Sequence, residues 1–356
     1  MKSKILKIKR LFEKFKKANS HGNSKPLVII LYEYIKFKLT APVIADQYFS
    51  KYLFIKGVRN YNDYLLGTKL FEKSYKINNE NYFPALFDKY NFSLYFRQKG
   101  LNALETFAHN ERSVFFSKNK ISILHNPDEF FNFLRNLKDG GIKADKFIIK
   151  KTRDSWGGKN IFKIDLNNDI NSIKEVYEKI SQSSYIIQRL IVQHQGMSAV
   201  NPYSVNTLRF TTYNNKKEIR LLPTLLRSAS EETFIDNISS GGGYVGLDDA
   251  SGTLKEKYYT SIDHGKGEIY SKHPQTNILF KGHKIPFFKE SKKLALDAAH
   301  AIPEATIVGW DIAVEESGPV LIEGNIYPDL LILEVLANGA KNDPVFMELI
   351  EEIRKL

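Results

Sequence analysis

Two acidic residues interrupt apolar segments near the end of the chain, and their spacing can place them side by side. Residues 308–325 read VGWDIAVEESGPVLIEGN, in which residues 317–319 have the composition of a tight turn between two strands. Side chains alternate between the two faces of a strand, so Glu323 shares a face with Asn325. If the two strands pair as a hairpin, Asp311 lies beside Glu323. Two carboxylates and an amide oxygen would then form one patch.

Two neighbouring carboxylates repel each other unless a positive charge lies between them. A hard divalent cation with oxygen ligands is the simplest such charge, and Mg²⁺ bound to nucleotide phosphates is the usual example. The alternative is a surface hairpin with incidental acids, and Glu315 and Glu316 fit that alternative because we expect them in the turn. Asp311 and Glu323 do not fit it, since they interrupt apolar strands and the burial of unpaired acids is costly. The pattern favours a metal site.

The composition sets the broad class of the protein. The 356 residues are enough for two or three compact units with a sizeable core. The absence of cysteine excludes disulfides, thiolate zinc sites and a cysteine nucleophile. No apolar run approaches the roughly 18 residues of a membrane-spanning helix, and the N-terminus lacks the features of a signal peptide. We therefore expect a protein of the reducing cytoplasm.

The net charge of +12 is concentrated at one end of the chain. Residues 1–38 contain eleven Lys or Arg and two Glu, a net charge of +9, which leaves +3 for the other 318 residues. Nucleic-acid binding favours a basic surface along the whole fold, so this distribution argues against a nucleic-acid partner.

Residues 2–17 predict an amphipathic helix with a basic face. Its apolar stripe at helical spacing consists of Ile5, Ile8, Leu11, Phe12 and Phe15. Such a helix is typical of attachment to an anionic membrane surface. The equal alternative is a helix that packs on its own domain with its lysines in water. Residues 27–32 form a second apolar stretch, which indicates a core or interfacial helix.

Residues 146–164 predict a strand, a glycine loop and a second strand. The two adjacent glycines of the loop would let backbone N–H groups turn toward an anion, and a lysine at the end of the first strand could reach the same anion. The loop is not a Walker motif, since it lacks the upstream glycine and the Ser or Thr. An ordinary hairpin with a glycine turn is the alternative, and the loop by itself does not exclude it.

The segment GGGYVG at residues 241–246 matches the GxGxxG pattern, but its surroundings do not fit a dinucleotide site. No strong strand precedes it, and residues 247–252 predict turns where a helix would have to begin. We interpret the segment as a mobile glycine lid or a substrate loop. Arg209 and Arg227 lie in or beside predicted strands, where a cation needs an anionic partner. Pairing of these arginines with acids is the simple explanation.

Three signals follow one another along the chain. They are a strand-end lysine before a glycine loop, a buried strand that ends in Gln188 and Arg189, and the hairpin that carries Asp311 and Glu323. This order resembles the ATP-grasp superfamily. Within it, the segments VNTLRF, GWDIAV and GPVLIEGN are similar to the sugar-transfer associated ATP-grasp proteins found with polysaccharide biosynthesis. The resemblance covers about residues 83–340.

The resemblance implies an α+β fold in which two α+β subdomains grip ATP between antiparallel sheets, with a helical N-terminal extension. ATP and Mg²⁺ are the implied cofactors. The expected division of the chain is a basic helical extension at 1–40, a helical lead subdomain at 41–145, the nucleotide- and metal-binding core at 146–340 and a C-terminal helix at 341–356.

The resemblance also implies roles for individual residues. Arg209 and Arg227, together with the glycine loop at 241–243, would hold the acceptor, a phosphate or an acyl phosphate, and Lys150 would hold a phosphate. The implied metal ligands are Asp311, Glu323 and Asn325. The implied nucleotide-binding residues are Lys89, Lys150, Ser155, Trp156, Gly157, Gly158, Gln188, Arg189, Leu190 and Gln193, with His194 as an alternative to Gln193 at the ribose.

These roles imply an ATP-dependent ligase that joins a carboxylate to an amine through an acyl phosphate, in the synthesis of capsule, O-antigen or another surface polysaccharide. Its small-molecule substrates would be sugar- or lipid-linked, and the basic helix would keep it at the inner face of the membrane. Two alternatives stay open. One is a kinase that uses the same nucleotide site to phosphorylate a hydroxyl, and the other is a membrane-associated binding module without catalysis.

Overall fold

A computed structural model describes residues 2–78, 81, 83–118, 120–139, 145–153, 160–167, 170–232 and 241–356. Its helices are α1 (Lys2–Ser20), α2 (Leu27–Thr40), α3 (Pro42–Gln47), α4 (Thr68–Ser74), α5 (Phe83–Phe87), α6 (Lys89–Gln98), α7 (Pro127–Asp139), α8 (Ile170–Ile180), α9 (Gln195–Ser198), α10 (Phe288–Ala301), α11 (Leu330–Leu336) and α12 (Pro344–Lys355). Its strands are β1 (Thr106–Glu111), β2 (Val114–Ser117), β3 (Lys120–Ile123), β4 (Lys146–Lys151), β5 (Ile161–Asp165), β6 (Ser184–Arg189), β7 (Thr207–Asn214), β8 (Ile219–Leu221), β9 (Leu225–Ser228), β10 (Gly243–Asp248), β11 (Thr253–Thr260), β12 (Ile269–Tyr270), β13 (Ile307–Glu315) and β14 (Gly318–Asn325). The strands form two antiparallel sheets, so the predicted α+β class with a helical N-terminal region is confirmed.

The first sheet has six strands in the order β3-β2-β1-β6-β4-β5. Along β4, Phe147 and Ile149 are buried on one face, where they pack with side chains of α7 and α8. The alternation of a strand places Ile148 and Lys150 on the opposite face. Gln188 joins them there because it lies directly opposite Ile148 in β6. The face away from α7 and α8 therefore carries Lys150 and Gln188.

The strand pairing of this sheet crosses the predicted boundary at residue 145. Strands β1 to β3 precede that boundary, yet β1 pairs with β6, which follows it. The pairing joins strands that are about 75 residues apart in sequence, and such long-range pairing leaves no mark in a local sequence pattern. Strand pairing groups residues 106–189 into one layer with α7 and α8.

The second sheet has the order β12-β11-β10-β9-β7-β13-β14, with β8 also paired to β7. The predicted hairpin is confirmed, because β13 and β14 pair antiparallel with Asp311 opposite Glu323. The register shifts directly after Asp311, as at a β-bulge. On the face toward α6 and α10, Trp310 is fully buried and donates its indole N–H to Thr212 Oγ1 at 2.9 Å. This packing fixes the strand that carries Asp311.

The N-terminal extension packs on the rest of the chain. Ala18 of α1 and Ile30 of α2 belong to an apolar core that also contains Ile262. Lys17 donates hydrogen bonds of 2.8 Å to the carbonyls of Ile262 and Gly265. One face of α1 is therefore docked on its own fold, as the second alternative predicted. Among the described residues, no helix has both the length and the apolar character to cross a bilayer.

A fully buried ion pair joins the segment after the N-terminal extension to α11. Lys51 pairs with Glu334 of α11, and both side chains are almost inaccessible to solvent. Lys51 Nζ also donates to the Leu66 carbonyl at 2.6 Å, and Glu334 Oε1 accepts from the backbone N–H groups of Leu65 and Leu66. Burial lowers the pKa of Lys51, and the adjacent carboxylate opposes that shift. Each charge is tolerated because the other neutralises it.

The substitution Lys51→Ala should destabilise the protein by about 3–5 kcal/mol, because it leaves the Glu334 carboxylate buried without a counter-charge. Urea unfolding at neutral pH measures this loss. The matched control is Lys38→Ala, since Lys38 forms an exposed pair with Asp46. That variant should lose less than about 1 kcal/mol. Equal losses for the two variants would contradict the role given to the buried pair.

Candidate functional site

The second sheet brings Arg209, Asp311 and Glu323 into one row across β7, β13 and β14. Arg209 lies directly opposite Asp311, and Asp311 lies directly opposite Glu323. Directly paired residues of antiparallel strands project to the same face, so these three charged side chains share the face away from Trp310. Gly309 leaves room for the row, because a Cβ at this position would lie 3.1 Å from Arg209 Cδ.

The Asp311 carboxylate is buried and bound by two arginines. Arg209 donates from Nε to Oδ1 and from Nη2 to Oδ2, the second bond at 2.6 Å. Arg227 of β9 donates from Nη1 to Oδ2 at 3.0 Å. Burial by itself would raise the pKa of Asp311, but the two guanidinium groups outweigh it and lower the pKa to about 2. The acid partner expected for each arginine is thus the same ionised carboxylate.

The predicted metal ligands lie together, but their oxygens are not equally accessible. Asn325 Nδ2 is 3.3 Å from both Asp311 Oδ2 and Glu323 Oε1. Two carboxylates and an amide oxygen are hard donors, which suit Mg²⁺. Glu323 and Asn325 line a cavity and fit such an ion directly, once the amide presents its oxygen. Asp311 is only 3% exposed, so it fits only after at least one arginine has turned away.

The set at Asp311 and Glu323 can be compared with the other His, Cys, Asp and Glu side chains of the protein. Within the residues that the structure describes, no group of three or more His, Cys, Asp or Glu side chains is arranged to hold a metal ion. The set at Asp311 and Glu323 differs in that its third donor is the amide of Asn325. The three-residue set predicted from the sequence therefore stays the candidate metal site. Two of its residues line the cavity, and the carboxylate of the third is bound by arginine.

The cavity beside this row has a volume of about 550 Å³. Part of its wall is cationic, since it includes Lys89, Arg209 and Arg227, and Glu323 and Asn325 lie beside these residues. Cations gathered in a concave site attract anions such as phosphate and carboxylate.

The segment that follows the N-terminal extension helps to enclose the same cavity. Ser50 and Tyr52 belong to the wall, as do residues 261–264. Ser50 Oγ donates to Asp263 Oδ2 at 3.2 Å, and the Tyr52 hydroxyl donates to the Thr260 carbonyl at 2.6 Å. This segment is therefore part of the cavity wall.

Thr211 is a cavity residue that sequence reasoning missed. It is fully buried, and its Oγ1 has no hydrogen-bond partner within the described part of the chain. It lies opposite Gly309 and two residues after Arg209, so it shares the face of the charged row. Strand alternation could have placed it there, but nothing in the sequence marked its hydroxyl. A buried hydroxyl without a partner beside two arginines is suited to bind an anion.

The predicted phosphate-binding segment is described only in part. Lys150 is half-buried in β4, on the face that also carries Gln188. Ser155, Trp156, Gly157 and Gly158 lie outside the described residues, so their roles stay predictions. Lys89 begins α6, and its backbone N–H donates to the Thr152 carbonyl at 3.0 Å. This bond brings Lys89 to the end of the strand that carries Lys150.

Gln188, predicted at the hinge, is buried and held by the segment before β1. Its Nε2 donates to Thr106 Oγ1 at 3.1 Å and to the Leu104 carbonyl at 3.3 Å. Its Oε1 is buried and has no hydrogen-bond partner among the residues described. The side chain lies on the same face as Lys150. This oxygen could accept a hydrogen bond from a nucleotide base, and the hinge role of Gln188 stays a prediction.

Arg189, the next hinge residue, connects the two sheets. Its guanidinium binds the Glu315 carboxylate through two hydrogen bonds, with Nη2 at 2.7 Å from Oε2. Glu315 is the last residue of β13 and is buried, so the prediction that it lies in an exposed turn is wrong. The strand continues to Glu315 because that residue pairs with Gly318. The backbone N–H of Leu190 donates to the Lys146 carbonyl at 3.1 Å, and its adenine contact stays a prediction.

Gln193, predicted at the ribose, forms hydrogen bonds within the protein, and its ribose contact stays a prediction. Its Nε2 donates to the Asn201 carbonyl at 2.8 Å, and its Oε1 accepts from the backbone N–H of Asn206 at 2.9 Å. The whole amide therefore serves the loop before β7. His194, the alternative, lies with Nε2 at 3.3 Å from Glu316 Oε2. Both side chains are engaged within the protein.

The prediction of a glycine lid at residues 241–246 is wrong from Gly243 onward. Gly243 begins β10, which lies inside the second sheet between β9 and β11. A Cβ at Gly243 would lie 2.5 Å from Tyr258 Cζ and from the Tyr259 carbonyl oxygen. The glycine therefore permits close packing of neighbouring strands, and the role in holding the acceptor predicted for it is not supported.

The substitution Asp311→Asn should destabilise the protein at neutral pH, because Arg209 and Arg227 would be left without a counter-charge. The pKa of Asp311 is about 2 in the folded protein, below the ordinary value of 3.8. The wild type therefore keeps its advantage above about pH 4 and loses it as the pH falls toward about 2. Urea unfolding of both proteins across this range measures the difference. A difference that does not change with pH would contradict the ion-pair assignment.

Comparison with known proteins gave one informative family match. The family model for sugar-transfer associated ATP-grasp proteins matches residues 71–348. No curated protein matches the chain. The match begins after the basic helix and covers the cavity residues from Lys89 to Asn325.

Solved structures with a similar arrangement have low sequence identity to the chain. D-cycloserine synthetase DcsG is 10% identical with a TM-score of 0.46, over 78% of this chain and 73% of that chain. The ATP-grasp ligase PsnB, solved with a minimal precursor, Mg and ADP, is 12% identical with a TM-score of 0.43, over 78% and 62%. Carboxyaminoimidazole ribonucleotide synthase from Aspergillus clavatus, solved with ATP, is 14% identical with a TM-score of 0.40, over 69% and 46%. The chain thus spans less than two thirds of the last two proteins. On the family match, which covers most of its length, the chain belongs to the sugar-transfer associated ATP-grasp family.

Proposed function

We propose that this protein is an ATP- and Mg²⁺-dependent ligase that joins a carboxylate to an amine through an acyl phosphate. The observation that carries the proposal is the cavity in which Arg209, Arg227 and Lys89 lie beside Glu323 and Asn325. The cations suit phosphate and carboxylate groups, and the oxygen donors suit a divalent metal ion. Membership of the ATP-grasp family gives the expectation that the nucleotide is ATP.

Each charged residue has a place in this proposal. Mg²⁺ bound by Glu323 and Asn325 would neutralise phosphate charge and orient the nucleotide. Lys89 and Lys150 would bind phosphate oxygens from the side of the six-stranded sheet. Arg209 would bind the acceptor carboxylate and then the acyl phosphate, since a guanidinium group forms paired hydrogen bonds with both.

Both arginines bind Asp311 before any ligand binds, and its single negative charge balances only one of their two positive charges. An incoming carboxylate or phosphate would replace Asp311 at one arginine. The freed Asp311 oxygen would then be available as the third metal donor. Anion binding would free Asp311 for the metal ion, and metal binding would free an arginine for the anion. Each binding event would therefore favour the other.

The proposed reaction needs no side-chain nucleophile, which agrees with a chain that contains no cysteine. One oxygen of the acceptor carboxylate would attack the γ-phosphorus, and ADP would leave. The amine would then attack the acyl carbon, and inorganic phosphate would leave with the transferred oxygen. The protein would act by positioning and by stabilising the charge that develops on the phosphoryl oxygens.

The proposed setting follows from the description of the family, which associates it with sugar transfer. We place the substrates among sugar- or lipid-linked acids and amines of capsule, O-antigen or other surface polysaccharide synthesis. The enzyme would work in the cytoplasm against the inner face of the membrane.

A labelled carboxylate tests the proposed reaction directly. A panel of sugar acids with amino acids is first screened for ADP release in the presence of Mg²⁺. The active acid is then prepared with ¹⁸O in its carboxylate. An acyl phosphate intermediate transfers one carboxylate oxygen to phosphorus, so mass spectrometry should find one ¹⁸O atom in the released inorganic phosphate.

Label that stays in the organic product, together with a phosphorylated hydroxyl, would identify a kinase and overturn the ligase proposal. The Glu323→Gln variant should release no ADP above background, because it removes a metal-binding charge. Glu256→Gln is the matched control, since Glu256 is exposed on β11 of the same sheet. That variant should turn over at the wild-type rate.

A further inference from the structure

Helix α2 exposes an apolar stripe along its outer face. Ile30 and Phe37 are buried on its inner face. The opposite face carries apolar side chains at helical spacing, and each of them is mostly exposed. They are Val28 (70% exposed), Tyr32 (63%), Ile35 (57%) and Leu39 (79%). A mostly exposed stripe of this kind, as it stands among the described residues, indicates an interaction surface.

Helix α1 contributes a second exposed apolar stripe. Leu11 and Phe15 pack on the core of the extension, whereas Ile5 (59% exposed), Ile8 (68%) and Phe12 (72%) do not. The apolar stripe predicted from the sequence is therefore split between an inner, packed part and an outer, exposed part.

The two helices touch each other, so their exposed stripes belong to neighbouring elements. The ring of Phe15 in α1 contacts the ring of Tyr34 in α2, with centroids 5.3 Å apart. We define the outer surface by the exposed apolar residues of both helices, which are Ile5, Ile8, Phe12, Val28, Tyr32, Ile35 and Leu39.

Exposed basic residues lie on the two helices that carry the outer surface. Lys9, Lys16 and Lys36 are exposed on the same two helices. Residues 1–38 carry a net charge of +9, which is three quarters of the net charge of +12 of the whole chain. Apolar side chains with flanking lysines complement an anionic lipid surface, where the apolar groups enter the headgroup boundary and the lysines meet phosphate groups.

We infer that the outer surface of α1 and α2 binds the plane of an anionic lipid bilayer. A second copy of the chain fits the same surface poorly, because association through it would bring two segments of +9 together. An anionic bilayer provides apolar depth and negative charge at once. This inference extends the sequence prediction from α1 to a surface of two helices, and it does not depend on the proposed reaction.

The inner face of α1 links the outer surface to the cavity. Lys14 pairs with Asp263 at 2.6 Å, and Lys17 binds the carbonyls of Ile262 and Gly265. Ile262 and Asp263 also line the cavity. A bilayer bound at the outer surface would therefore lie one helix away from the cavity wall, which suits substrates that are presented at a membrane.

Vesicle co-sedimentation with the full chain tests the inference. The probes are phosphatidylcholine vesicles with and without phosphatidylglycerol. Wild type should sediment with the anionic vesicles, bind the neutral vesicles weakly and dissociate as salt increases. The variants Phe12→Glu and Ile35→Glu should each lower the binding constant by about tenfold, since each places a carboxylate in the headgroup boundary.

Ile121→Glu is the matched control, because Ile121 is 67% exposed on β3, far from α1 and α2 in the sequence. This variant should bind as wild type does. All these positions are exposed, so each variant should unfold at the wild-type urea concentration, which separates lost binding from lost folding. Absence of binding to anionic vesicles, or an equal loss for Ile121→Glu, would overturn the inference. Dimers in sedimentation velocity that Ile35→Glu dissolves would assign the surface to a second copy instead.

Discussion

A carboxylate that is buried in a sheet needs a counter-charge, and Asp311 receives two of them from separate strands. Arg209 of β7 and Arg227 of β9 both bind it, so three strands are fixed around one charge. Small residues make the arrangement fit, since Gly309 leaves space for Arg209. Glu323 then stands at the end of the row as the accessible carboxylate. The ion pairs with Asp311 hold both arginines at the cavity wall, beside the candidate metal donors.

The same strand also positions the other sheet. β13 carries Asp311 at its centre and ends at Glu315, whose carboxylate binds Arg189 of β6. Backbone bonds add to this link, because Leu104 donates to the Leu321 carbonyl at 2.9 Å and Leu321 donates to the Asn102 carbonyl at 2.8 Å. The face of β4 and β6 with Lys150 is therefore held in a fixed relation to the Asp311 row. A ligand that spans both sheets would contact this face and the Asp311 row together.

The hairpin of β13 and β14 could be predicted from the sequence because its information is local. Strand alternation, a turn composition and two acids in apolar strands were enough to place Asp311 opposite Glu323. The partners of Asp311 could not be predicted in the same way, since Arg227 is 84 residues away and its approach depends on the order of the strands. The sequence identified Arg209 and Arg227 only as cations that need an anionic partner.

Other differences between the predictions and the structure also arise from tertiary contacts that the sequence does not show. A glycine has no side chain to show whether it serves a loop or close packing, so Gly243 was assigned to a lid although it belongs to β10. Gln193 carries the polar groups that a ribose site would use, but here they complete the loop before β7. Thr211 was missed because a threonine in a strand is common, and only the tertiary structure shows that its hydroxyl is buried without a partner among the described residues.

The central claim is that the Asp311 row binds Mg²⁺ together with ATP. Titration calorimetry of ATP into the wild type, with and without Mg²⁺, tests it most directly, alongside Glu323→Gln and the exposed control Glu256→Gln. The account predicts binding that requires Mg²⁺ in the wild type and the control, and that weakens at least about tenfold in Glu323→Gln because a metal-binding charge is lost. Binding that is equal in all three proteins, or that does not respond to Mg²⁺, would contradict it.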